Sequence, residues 1–136
     1  IKDQNQVGLM WRRGMKKTID HLTEVGIHVL VLRDVPRWPS DVPDCLASKP
    51  AVQCEMKPED GLSPATDDII IANKIENARG IDLTNAICNP TVCFPIRGGI
   101  IISRDDAHLT RTFSVALANL WQALLVHELE QPAKQA

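Results

Sequence analysis

The stretch "GIHVLVLRD", residues 26–34, constrains the fold more than any other. Its centre is a continuous apolar, β-branched run with no alternation, the pattern of a central parallel strand buried on both faces. Upstream, Met15, Ile19 and Leu22 recur at helical spacing with charged residues between them, and Gly26 follows as a natural C-terminal cap. A helix from about Val7 to Val25, a short glycine link and a buried strand make half of an α/β unit. With 136 residues, 44% apolar and 24% charged, the chain suffices for one globular domain around a single core. Arg33 and Asp34 fall at the carboxyl end of the expected strand, where open α/β sheets bind ligands, so Arg33 is a candidate substrate contact.

The segment from Pro36 to Ser63 holds five of the nine prolines and two cysteines, and reads as a long surface loop. Within it, Trp38 stands between two prolines in "PRWPSD". It could stack on a sugar face, as a candidate substrate contact, or simply cover the core. Ser63-Pro64 then offers a cap with proline at the first helical position, and "ATDDIIIANKIENAR" continues as a helix ended by Gly80. "IDLTNAICNPTVCFP" reads as irregular, and "IRGGIIIS" as a Gly-Gly turn leading into a short strand. From Thr110, residues Phe113, Leu117, Leu120, Trp121 and Leu124 form one stripe of a final amphipathic helix. The domain is expected over residues 1–127, with a polar tail at 128–136.

Cys45, Cys54, Cys88 and Cys93 permit three disulfide connectivities. The local pairs Cys45–Cys54 and Cys88–Cys93 are preferred because each closes a short loop. The rival reading, a four-cysteine zinc site or free thiols, lacks the usual short knuckle on the first pair. Disulfides place the domain outside the cytosol. The net charge of −2, with no basic run, gives no sign of a nucleic-acid partner. The apolar runs are too short to span a bilayer. The chain starts at Ile1 without the features of a signal peptide, so it reads as an excised or processed segment of a longer protein.

"ISRDDAHLT", residues 102–110, carries the chemistry. A serine nucleophile needs an imidazole to take its proton and a carboxylate to fix the imidazole's tautomer. An Asp three residues before a His, on a turn into a helix, can supply both, and Asp105 rather than Asp106 has that spacing to His108. The bland alternative is an aspartate capping the helix with a histidine packed on its first turn. A metal site lacks a clear third ligand. His21, His28 and His127 read as structural or solvated.

The order "VLVLRDVPRWPSDVPDCL", a distal cysteine, "IDLTNAICNPTVC", then "IISRDDAHLT" and a closing helix resembles the extracytoplasmic SGNH domain fused to membrane acyltransferase-3 proteins. This resemblance covers about Met15 to Leu125 and places the chain with the SGNH/GDSL hydrolase superfamily. It implies a flavodoxin-like three-layer α/β/α sandwich with a mostly parallel sheet, here incomplete at its N-terminal side. It also implies transfer of an acyl group, commonly acetyl, to hydroxyls of cell-envelope glycans. His108 would be the general base and Asp105 its orienting partner. The implied partners are a glycan acceptor, an acyl donor and the membrane acyltransferase domain of the same parent chain. No metal or tightly held cofactor is needed.

The chain departs from that family in one large respect. It has no Gly-Asp-Ser and no Gly-x-Asn-Asp, and Ser40, Ser48, Ser63, Ser103 and Ser114 sit in neither context. The nucleophile half is therefore expected upstream of Ile1, and this polypeptide alone is expected to be inactive. Two alternatives stand beside the transferase: a carbohydrate esterase of the same superfamily, and a non-catalytic glycan-binding or scaffolding remnant.

Overall fold

In the computed structural model, which describes residues 3–62 and 67–130, ten helices and strands follow one another along the chain. They are α1 (Gln4–Glu24), β1 (Val29–Leu32), α2 (Val42–Ser48), α3 (Pro58–Gly61), α4 (Asp67–Ala72), β2 (Ala78–Ile81), β3 (Ile96–Arg97), β4 (Ile100–Ile101), α5 (Arg111–Ala116) and α6 (Ala118–Glu130). Short 3₁₀ turns lie at Ala51–Cys54 and Thr84–Ala86. The expected Ser63-Pro64 cap and most of the polar tail lie outside the described residues. Two compact units result, one from residues 3–33 and 67–82, the other from 34–62 and 83–130.

The first unit is the α/β half. Asp3 caps α1 by accepting the Asn5 N–H at 3.0 Å. At the other end Gly26 adopts φ +84°, so that its N–H reaches Thr23 O and the Ile27 N–H reaches Leu22 O. That pair of bonds is the Schellman stop expected of a glycine after a helix. β1 then pairs with β2 in parallel, Val29 opposite Ala78 and Leu32 opposite Ile81. α4 packs on both strands and on α1, around a small core of Ile19, Ala72 and Ala78. The α/β class read from the sequence is the class that forms.

Two expectations for this unit need correction. β1 is not buried on both faces: Val29, Leu30 and Val31 are half-buried and Leu32 is exposed, because among the described residues β1 pairs with β2 alone. The helix expected to run to Gly80 stops at Ala72, and residues 78–81 are strand. Asn77 at φ 58° turns the chain, and the Asn73 side chain accepts the Gly80 N–H at 2.9 Å. Gly80 is required by close approach rather than by helix termination. A Cβ there would lie 2.4 Å from Ile69 Cβ and 2.5 Å from its carbonyl oxygen.

The second unit is built on the two disulfides, Cys45–Cys54 and Cys88–Cys93, the local pairing expected. Among the described residues no cysteine is free. Met56 and Cys93 exchange backbone hydrogen bonds, so the stapled segments are tied to each other. Around them pack Trp38, Val42, Ile87, Ile102, Phe113 and Leu117. The segment expected as a surface loop is instead a string of short helices. Its prolines act as starters: Asp41 caps α2 with Pro43 in the first turn, and Pro58 opens α3. Gly98 and Gly99, both at positive φ, form the two-residue turn joining β3 to β4. The final helix is broken at Leu117 into α5 and α6, and its stripe is buried only at Phe113 and Leu117.

Candidate active site

Residues 103–110 form a closed loop between β4 and α5. The Arg104 N–H bonds the His108 carbonyl at 2.9 Å, and the Thr110 N–H bonds the Ile102 carbonyl at 2.8 Å. Thr110 also caps α5: its Oγ1 accepts the Phe113 N–H at 3.1 Å and donates to the Ile101 carbonyl at 2.7 Å. The loop's shape is thus fixed at its neck by backbone and threonine bonds.

Inside the loop, Asp105 Oδ1 accepts the Ala107 N–H at 2.8 Å and the His108 N–H at 2.7 Å. An aspartate accepting from residues two and three ahead makes a tight turn, and that turn swings the His108 ring back onto the same carboxylate. His108 Nδ1 lies 2.8 Å from Asp105 Oδ2 and 3.0 Å from Oδ1. The Ala107 N–H does most to favour the ionised carboxylate. Desolvation opposes it, and the His108 N–H and ring add to it, bringing the Asp105 carboxyl down to about 2. An ionised partner on Nδ1 selects the tautomer with the proton there. Nε2, on the opposite side of the ring, is then the basic nitrogen. The His108 side chain is 65% exposed, so the ring is open to a reacting group.

The loop is anchored by Trp38, read from sequence as a sugar contact or a core residue, and by Arg37, Ser103 and Asp106, to which sequence reasoning gives no such role. Trp38 Nε1 donates to Ser103 Oγ at 3.0 Å, between two residues that are 4% and 1% exposed. The Trp38 backbone N–H donates to the Asp106 carbonyl at 2.7 Å, and the Arg37 guanidinium lies 3.1 Å from Asp106 Oδ2. The Arg37–Asp106 pair is largely exposed and contributes little net energy. Losing one partner of the buried Trp38–Ser103 bond, by contrast, costs about 1–3 kcal/mol. In sequence, Asp106 lacks the three-residue step to His108 and Ser103 is a serine outside any nucleophile context. The sole sequence signal was their place beside Asp105.

Of the candidate site residues, Asp105 and His108 come together. Trp38 lies in the core, which fits the reading that it covers the core and leaves no ring face open to a sugar. Arg33 belongs to the other unit, where it pairs with Asp82 at 2.9 Å. His28, exposed, precedes β1 rather than entering it. Among the described residues no cluster of three or more His, Cys, Asp or Glu is arranged to hold a metal ion.

A family model described as the SGNH domain fused to AT3 domains matches residues 2–123. The chain belongs to this family. Comparison with curated proteins and with solved structures finds no further match. The SGNH fold is flavodoxin-like, and the small parallel sheet with its helices is consistent with such an α/β sandwich. The chain is accordingly an acyltransferase-associated SGNH domain, and the Asp105–His108 pair and both disulfides lie inside the matched residues.

Proposed function

We propose that this SGNH domain carries the acid–base half of an O-acyltransferase, acting outside the cytosol and tethered to a membrane acyltransferase domain of its parent protein. The observation that carries the reading is the Asp105 carboxylate 2.8 Å from His108 Nδ1, in a loop built around that contact. The disulfides support an oxidising compartment.

The nucleophile is a serine outside this sequence, which contains no Gly-Asp-Ser. His108 Nε2 accepts the serine proton as the hydroxyl oxygen attacks the carbonyl of the acyl donor. It returns that proton to the leaving group as the acyl–donor bond breaks. In the second half, a glycan hydroxyl attacks the acyl-serine, gives its proton to Nε2, and the serine oxygen leaves with that proton. Asp105 stays ionised throughout and stabilises the imidazolium formed in each half.

The test is acyl transfer to glycan by the intact parent protein with and without His108→Ala. Loss of about a thousandfold or more is expected. Unchanged transfer would overturn the assignment, and free acid in place of acylated glycan would assign an esterase instead. The alternative reading is a non-catalytic glycan-binding domain that keeps the family fold without turnover. Glycan binding indifferent to His108→Ala, with no turnover in the parent, would establish it.

A further inference from the structure

The Asp105–His108 contact fixes the ring against its own loop, but it does not fix the loop. His108 is mostly exposed and Asp105 one-third exposed, so neither side chain is sealed in the core. The residue that enters the interior is Ser103, 1% exposed and two positions before Asp105. Its Oγ meets the indole N–H of Trp38, which arrives from 65 residues earlier in the sequence. The adjoining Trp38 backbone N–H holds the Asp106 carbonyl, and Arg37 holds the Asp106 carboxylate. Residues 103 and 106 therefore bracket Asp105 with contacts to a single dipeptide.

We propose that Arg37, Trp38 and Ser103 are positioning residues for the acid–base pair: they set where the Asp105–His108 turn stands, without touching a reacting atom. This inference rests on reading Asp105 and His108 as that pair. A shift of about 1 Å in a catalytic group can cost a hundredfold in rate. Ser103, sealed in the core and accepting from Trp38, serves as an anchor point rather than a nucleophile.

The test uses the 136-residue chain, whose His108 ring nitrogens can be followed by ¹H–¹⁵N correlation spectroscopy. In the wild type the neutral His108 ring is expected mainly as the Nδ1–H tautomer. Ser103→Ala and Trp38→Phe should each move the His108 ring and backbone amide signals as the turn shifts, with the Nδ1–H tautomer kept by Asp105. Ile87→Val, a core change in the same unit, should lower stability and leave these signals in place. In the parent protein the two variants should lower kcat roughly ten- to a hundredfold with KM little changed. A folded Ser103→Ala or Trp38→Phe chain with wild-type His108 signals would overturn the proposal. Should neither variant fold, Arg37→Ala, at a side chain 74% exposed, is the deciding change, with a smaller shift in the same direction expected and no shift overturning it. Shifted His108 signals alongside intact transfer by His108→Ala in the parent would instead remove the catalytic reading and leave the anchoring in place.

Discussion

Asp105 Oδ1 accepts the backbone N–H of His108 at 2.7 Å while Oδ2 lies 2.8 Å from the same residue's Nδ1. One carboxylate thus sets both the backbone turn and the ring of a single histidine. The two tasks separate by mutation, because an amide retains an acceptor for the turn and loses the charge.

Asp105→Asn is accordingly expected to leave the loop folded and to disable the chemistry. In the parent protein, acyl transfer should fall by about four orders of magnitude, as happens when a triad aspartate becomes an amide and the histidine takes the wrong tautomer. Steady-state kinetics checks the rate, and circular dichroism of the 136-residue chain checks the fold.

The lowered Asp105 carboxyl also predicts an acid limb in stability. Its folded-state value of about 2 lies below the ordinary 3.8, so the ionised form is favoured in the folded state. The resulting stabilisation is complete above about pH 4 and is lost as pH falls through about 2. Urea unfolding of wild type and Asp105→Asn should therefore differ above pH 4, with the gap closing toward pH 2. A gap that persists unchanged at pH 2 would contradict the assigned cause.

Each disulfide closes a short loop, with sequence separations of 9 and 5. Replacing either pair by alanine should lower unfolding free energy by about 2–3 kcal/mol in the chain-entropy account. Thiol titration under denaturing, non-reducing conditions should find no reactive cysteine, and four after reduction. Four thiols before reduction would revive the zinc or free-thiol reading.

Gly80→Ala tests the strand–helix contact of the first unit. The added Cβ meets both the side chain and the backbone of Ile69 at about 2.5 Å, and backbone yields less readily than a flexible side chain. A loss of about 1–3 kcal/mol is expected, read as a lower urea midpoint with an unchanged slope.

What the sequence made legible was local. Gly26, the spacing of Cys45 to Cys54 and Cys88 to Cys93, and the three-residue step from Asp105 to His108 each encode a structure within a few residues of themselves. What stayed hidden was set by distant partners. β2 lay inside an apparently helical stretch because Gly80 answers to Ile69, and no local pattern distinguishes that from a helix stop. The prolines of residues 36–62 read as breakers, although Pro43 and Pro58 sit at helix starts where their missing N–H costs nothing. The sequence leaves Trp38 open between surface and core because its partner, Ser103, lies 65 positions away.

The two disulfide rings follow one another along the chain, and neither encloses the other. Such a pattern can be completed in the order in which the polypeptide emerges. Cys45 can meet Cys54 before Cys88 is present, and Cys88 can meet Cys93 before the residues of the Asp105–His108 loop are made. Neither covalent step depends on the other, nor on any residue after Cys93. The loop of Asp105 and His108 can thus close onto a frame whose bonds are already made.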